Sequence, residues 1–425
     1  MSTDPTGPAR APGGAVRHAS ARPLLVTNDF LPVVGGIQQY TDNVLARLDD
    51  AAAFAPHHPA AAEHDQSAPY PVHRSSDPPD RLRGPDGWML PTEAVTAQVA
   101  AAVVEHGANV LLFAAPWPLV PIAARLGLPA VVMTHGAELV MPANLPGAAG
   151  LLRRHLRSAA LLTTVSAWTG RHLRDLVGAD GPPIRFLRTG VPLDTFAPTV
   201  DGTRVRARHG LGDDPVAVFV GRHVARKGID VLVEHWSRVR EHVPRARLLV
   251  TGTGDLTDRL MATAAARDDD AIVFAGRVPW DELPAHHAAG DVFVHPNRTR
   301  WGGLEQEGFG VIFLEAQAVG RPVVAGDSGG SPEALVPGET GLLVDGTDPS
   351  EVVAAVVTLL SDRERARAMG RAGRRFVEEH FDWDRIVAGF RDDLDAVVAG
   401  TPPPSAPALG GGPEPGTDGP TPRRR

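Results

Sequence analysis

Cysteine is absent from the 425 residues, which removes disulfides, thiolate metal sites and cysteine nucleophiles together and is compatible with a reducing, cytoplasmic setting. Lysine is nearly absent too: of 42 basic side chains, only Lys227 is a lysine. A chain rich in Arg, Ala, Gly and Pro has the composition of GC-rich coding, so most arginines need no functional account and Lys227 stands out. No stretch can span a membrane, because the longest apolar run, residues 109–133, is broken by Pro116, Pro118, Pro121, Arg125 and Pro129. A secretory leader is not expected either: the first twenty residues are rich in Pro, Gly and Ala, and the apolar run after them stops at Asn28 and Asp29. Nor is there a basic surface for nucleic acid, since the net charge is −8, with −2 over residues 21–200 and −8 over 201–400. The dinucleotide fingerprint is missing as well. Gly252-Thr253-Gly254 follows a predicted strand, but no third glycine stands at the required position, which counts against an oxidoreductase.

What remains is a long chain with 43% hydrophobic residues, enough for two domains of roughly 180 residues each. Short β-branched runs alternate with amphipathic stretches, the pattern of a parallel α/β protein. A first series predicts strands at 24–27, 110–113, 130–134, 161–165 and 184–187, with a helix opening at Ile37; residues 51–90 read as weakly structured. A second predicts strands at 216–220, 247–250, 272–275, 292–295, 322–325 and 342–344, with helices at 309–319, 349–360, 362–379 and 383–398. The expected organisation is a disordered head (1–21), a Rossmann-like domain (22–198), a polar link opening a second Rossmann-like domain (199–382), a helix returning to the first domain (383–400) and a low-complexity tail (401–425). Two doubly wound sheets in series place the carboxyl ends of both strand sets beside one deep cleft.

Gly35 and Gly36 lie between a strand and a helix, where bare amides can approach an anion, although a glycine pair there also reads as a simple turn. Arg222 and Lys227 share a loop between a strand and a helix, and two fixed cations suit a diphosphate; a solvated basic loop is the alternative. Glu307 and Glu315 bracket the predicted start of a helix. At 1.5 Å per residue they stand roughly 12 Å apart, suited to the two ends of one nucleotide sugar, with amides around Phe309, Gly310 and Val311 for phosphates. A helix-dipole partner and a surface carboxylate would look the same. Asp268-Asp269-Asp270 could imitate a metal motif but reads as a solvated turn. Residues 151–157 read as a short basic amphipathic helix whose Arg153, Arg154 and Arg157 could meet anionic lipid or simply face water.

In this order, and with Thr134-His135-Gly136, residues 189–196 (TGVPLDTF), Gly329-Gly330-Ser-Pro-Glu333 and residues 341–344 (GLLV), the motifs resemble the retaining family-4 glycosyltransferases of the GT-B fold, from about Asn28 to Phe381. Trp301 and Ala137 depart in size from the family pattern, and Glu305 replaces a shorter carboxylate. The resemblance implies mannose transfer from GDP-mannose to a phosphatidylinositol mannoside glycolipid through an α-1,6 linkage. It implies no metal or other cofactor, and peripheral contact with an anionic membrane at the cytoplasmic face. It assigns Arg222 and Lys227 to the donor diphosphate and Glu307 to the sugar hydroxyls. Glu315 goes to the ribose, Val278 to the base through its backbone, Gly35 and Gly36 to the phosphates, and His135 to the sugar near its reacting carbon. Another donor, a soluble acceptor or a nucleotide-binding protein without transferase activity are the alternatives. A phosphorylase with a Schiff-base cofactor would need a second lysine.

Overall fold

A computed structural model of the chain describes residues 20–76, 88–136, 138–140, 147–267 and 270–404. Most of the expected disordered head and tail lies outside them. Ala21 is buried, and its amide donates to Asp395 at 2.7 Å.

Two parallel sheets carry the fold. The first contains β1 (Pro23–Val26), β2 (Ala52–Ala55), β3 (Val72–Arg74), β4 (Val110–Phe113), β5 (Ala130–Thr134), β6 (Leu161–Thr164) and β7 (Ile184–Phe186), in the order β3-β2-β1-β4-β5-β6-β7. The second contains β8 (Val216–Val220), β9 (Arg247–Thr251), β10 (Ile272–Gly276), β11 (Val292–His295), β12 (Val323–Gly326) and β13 (Gly341–Val344), in the order β10-β9-β8-β11-β12-β13. The strand order reverses between β1 and β4 and again between β8 and β11, the crevices where such sheets hold ligands.

Strands covered by helices on both faces need continuous apolar runs rather than alternation, and β4 (VLLF), β5 (AVVMT) and β8 (VAVFV) have them, buried along their whole length. Phe113, Phe219 and Phe293 are among the largest fully buried side chains, each stabilising the fold by about 1.5–3 kcal/mol. The reading of residues 51–90 as weakly structured is corrected: β2, β3 and the helix Ala61–Ser67 lie there. β2 is AAFA, with little intrinsic strand preference, and becomes a strand because β1 pairs with it, Leu24 opposite Ala52 and Val26 opposite Phe54. The polar link likewise contains a helical turn, Thr203–Arg208. The last helix, Trp383–Ala399, packs on the helix Gly36–Leu45 and on β4, with Arg47 paired to Asp384 at 2.7 Å.

Candidate active site

The cleft is built from loops at the carboxyl ends of the two sheets. Beyond β1, the helix Gly36–Leu45 opens with Gly35 at its N-cap and no side chain capping it. A Cβ at Gly36 would meet nothing within 4 Å among the described residues beyond its chain neighbours and its own helix backbone. Tyr40 on that helix is buried, anchors its hydroxyl on the Leu187 carbonyl at 2.7 Å and sets its ring edge-on to His135, 4.9 Å between centroids.

His135 follows β5. Its Nε2 lies 3.1 Å from the Ala114 carbonyl; a carbonyl only accepts, so Nε2 carries the proton and Nδ1 keeps a lone pair. Glu138 accepts from the amides of His135 and Gly136, the latter at 3.0 Å. Burial pushes the imidazole below its ordinary pKa against the pull of Glu138 and Asp29, so it is neutral at pH 7. Burial in turn raises the Asp29 carboxyl, which His135 lowers and Glu138 raises. Glu138 is a site neighbour that no motif flagged, its one signal being sequence proximity to His135; Asp29 stands in the Asn28-Asp29-Phe30 stretch of the resemblance, which assigned it no role.

Across the cleft, the loop after β8 ends in a single 3₁₀ turn, Ala225–Lys227, closed by Gly228 with φ 73°. That turn swings Arg226 and Lys227 towards the loop after β11. Arg226 Nη1 and Lys227 Nζ both donate to Glu307 Oε2, each at 2.6 Å, and Arg226 Nε stands 4.0 Å from Glu305. Burial alone would raise the Glu307 carboxyl, but Lys227 and Arg226 hold it down at about 2. Burial lowers the Lys227 ammonium, with Glu307 opposing and Arg226 and Arg222 adding to the fall. The triad is thus a charged unit with one net positive charge. Arg226, passed over in the sequence, completes it. Arg222 is exposed on the same loop, with no ion pair among the described residues.

Beneath the triad lies His295, the last residue of β11, fully buried and stacked on Phe219 at 4.9 Å and 4°. Burial, with the nearby Lys227, takes its imidazole down to about 3, so it is neutral.

The helix after Glu307 starts later than expected. Gly310, with φ 95°, is its N-cap and Val311 its first residue, so residues 307–310 are not helical and the helical rise does not apply along the whole stretch from Glu307 to Glu315. Gly310 and Val311 are half-buried in that turn, whereas the Phe309 ring points into the core against Phe381, 5.7 Å away. Glu315 is 2% exposed, on the helix's buried face, with His287 Nε2 3.4 Å from its carboxylate. Val278 is half-buried just past β10, the edge strand.

Arg153, Arg154 and Arg157 are exposed on the helix Ala148–Arg157, whose apolar side, Leu152 and Leu156, is buried in the protein. Leu151 on this helix and Trp117, stacked on His155 at 5.3 Å, are exposed. Asp268 and Asp269 lie outside the described residues, as does Ala137. Among the described residues no three His, Asp or Glu side chains gather as a metal site, and no helix is long and apolar enough to cross a membrane.

A parallel-sheet pair with a Lys–Arg–Glu triad on one wall and a neutral histidine on the other defines a class, and comparison with known proteins agrees. Residues 34–195 match the family described as Glycosyltransferase Family 4, and residues 202–376 match Glycosyl transferases group 1. The chain belongs to the family-4 glycosyltransferases and has the GT-B fold. Among its relatives is a protein of Mycolicibacterium smegmatis named GDP-mannose-dependent α-(1-6)-phosphatidylinositol monomannoside mannosyltransferase, 40% identical over 85% of this chain and 94% of the relative. A Corynebacterium glutamicum protein, named for the monoacylated form of that acceptor, is 36% identical over 86% of this chain and 96% of its own length. Of solved structures, Anabaena HepE in complex with UDP superposes with a TM-score of 0.74 at 18% identity, covering 88% of this chain and all of that one. Sucrose-phosphate synthase of Thermosynechococcus elongatus gives 0.70 at 21%, covering 89% of this chain and all of that one; both show the fold.

Proposed function

We propose that this enzyme moves mannose from GDP-mannose to a phosphatidylinositol mannoside, keeping the anomeric configuration and forming an α-1,6 linkage. The observation that carries this reading is the 40% identity along 94% of a relative bearing that name, in a chain whose Lys227, Arg226 and Glu307 converge.

The geometry supports a division of labour. Both cations bond to Glu307 Oε2, which leaves Oε1 to accept from a sugar hydroxyl. An ammonium has three donors, so Lys227 retains two for a phosphate oxygen. Arg222, exposed and with no ion pair among the described residues, supplies the second cation of the diphosphate clamp, and Gly35, Gly36 and the amides at Phe309, Gly310 and Val311 supply neutral donors. Glu315 contacts the ribose and Val278 the base. His135, neutral with its Nδ1 lone pair open, orients the sugar.

Attack by the acceptor hydroxyl breaks the bond from the anomeric carbon to the phosphate oxygen and forms the new glycosidic bond. The hydroxyl proton passes to the departing phosphate on the same face. No metal enters this scheme, because the clamp and the helix terminus neutralise the leaving group. The glycolipid acceptor supports peripheral attachment at the cytoplasmic face of an anionic membrane, for which Arg153, Arg154 and Arg157, with Leu151 and Trp117 nearby, are the proposed contacts.

The test is a mass-spectrometric screen of GDP-mannose, UDP-glucose and UDP-GlcNAc against phosphatidylinositol, its monomannoside and soluble inositol phosphate. Product is expected from GDP-mannose with the monomannoside. Transfer only from a UDP sugar, or only to the soluble acceptor, would replace this reading.

A further inference from the structure

The helix Ala167–Val177 lies in the first half of the chain, and its first amides need acceptors because no preceding turn supplies them. Ser166 is its N-cap, and Ser166 Oγ accepts from Thr169 N at 3.0 Å. The amides of Ala167 and Trp168 are satisfied from the other side of the cleft. Glu333 Oε2 accepts from Ala167 N at 2.7 Å and Glu333 Oε1 from Trp168 N at 2.9 Å. A carboxylate there receives two charge-assisted hydrogen bonds and the field of the helix terminus together. Arg188, beyond β7 and half-buried, is the cation facing Glu333: burial lowers its pKa and Glu333 opposes the fall.

Glu333 stands in the short turn Ser331–Ala334 of the second half, which is tied to the loop after β11 by Asn297 Nδ2 donating to Ser331 Oγ and, beside the triad itself, through backbone. Gly330 N donates to the Glu307 carbonyl at 2.9 Å. A side chain at Gly330 would come within 2.1 Å of the Gly308 carbonyl, and one at Gly308 within 2.2 Å of the His135 carbonyl. Close backbone approach at both positions requires glycine. The path from the Ala167 and Trp168 amides to Glu307 and on to His135 thus has no flexible side chain in it except Glu333.

We propose that Glu333 is a positioning residue that latches the two halves of the enzyme by capping the helix at Ala167 and Trp168, and so sets Glu307 and Gly308 against His135. Opening the cleft breaks both of its hydrogen bonds and separates it from Arg188; closing restores them, so the closed arrangement gains where the reacting groups must meet. The inference rests on the transferase reading for its turnover arm alone.

The cysteine-free chain allows a direct test. Glu63→Cys and Glu241→Cys, exposed sites on the helices Ala61–Ser67 and Ile229–His242, carry a dye pair, one dye on each half. Single-molecule energy transfer is read without substrate in otherwise native, Glu333→Ala and Glu333→Gln proteins. Both substitutions are expected to add longer separations, more so in Glu333→Ala, while the Kd for GDP changes by less than about twofold. With GDP-mannose and the monomannoside, kcat falls about tenfold or more per folded molecule, whereas a merely structural role would lower Tm and leave distances and kcat alone. Glu333→Gln stands in should Glu333→Ala fail to fold. Distances like those of the native protein in both variants overturn the latch whatever turnover does, and wider distances with unchanged kcat overturn the positioning role. The distance and GDP measurements involve no acceptor, so failure of the transfer assay in the native enzyme points to the proposed reaction and not to the latch.

Discussion

Lys227 Nζ and Glu307 Oε2 lie 2.6 Å apart, joining the loop after β8 to the loop after β11 across the point where the strand order of the second sheet reverses. The pair is largely shielded from water, with side-chain exposures of 11% and 12%, so Lys227 and Arg226 together keep Glu307 ionised, while Glu307 supports the Lys227 charge against burial and Arg226.

Removing one cation of the clamp therefore separates two effects. Lys227→Ala is expected to lower turnover by about 10²-fold or more, the scale of losing one preorganised donor, and to lower Tm as well, because Glu307 keeps only Arg226. Arg222→Ala is expected to lower turnover on a similar scale with Tm unchanged, since the exposed Arg222 supports no ion pair among the described residues. Steady-state kinetics paired with thermal melts check both; native turnover in Arg222→Ala would remove it from the clamp.

The pH profile of kcat/KM follows from the same charges. Burial and the arginines lower Lys227 from 10.5, so the alkaline limb belongs below the range of an ordinary lysine. Burial keeps His135 and His295 neutral, so no limb is expected near pH 6.5. Rates measured from pH 5.5 to 10.5 in buffers of constant ionic strength decide the matter, and a histidine limb near 6.5 would count against a neutral His135.

Stability should fall on acidification. His295, at about 3 when folded against 6.5 when free, binds a proton in the unfolded chain before it does in the folded one. Stability from this group is therefore lost as pH drops from 6.5 towards 3, at about 2 kcal/mol by pH 5. Glu307, at about 2 against 4.5, adds a loss between pH 4.5 and 2, with the same sign. Urea melts at pH 7.5 and 5.0 are expected to differ accordingly, and His295→Leu to flatten the difference. An equal slope in that variant would assign the acid sensitivity elsewhere.

Much of this was legible in the sequence and some was not, for physical reasons. Strands such as β4 and β8 announce themselves because burial on both faces demands unbroken Val, Leu and Phe. β2 does not, because Ala-Ala-Phe-Ala pairs with β1 by tertiary context. Lys227 and Glu307 were visible as isolated motifs, but their union through Arg226 depends on two loops some 80 residues apart meeting at a sheet crevice. Glu333 lies 166 residues from the amide it caps, and no local pattern encodes such a partner.

Chelation tests the absence of a metal from the scheme. Full turnover is expected in excess EDTA, because in the proposed scheme Lys227, Arg222 and the helix terminus at Val311 take the place of a metal at the leaving diphosphate. Activity abolished by EDTA and restored by Mn²⁺ or Mg²⁺ would require a different leaving-group chemistry.

The central claim, mannose transfer with retention at the face held by Lys227 and Arg222, is tested most directly by NMR of the product made from GDP-mannose and phosphatidylinositol monomannoside. Retention by two displacements would need a carboxylate nucleophile on the opposite face, with an acid partner about 5–5.5 Å away. In this account Glu307 is committed instead to Lys227 and Arg226, and the departing phosphate takes the proton. An α-configured 1,6 linkage and no mannosyl adduct on the intact enzyme are expected; a β-linked product, or mannose trapped on Glu307, would contradict this mechanism.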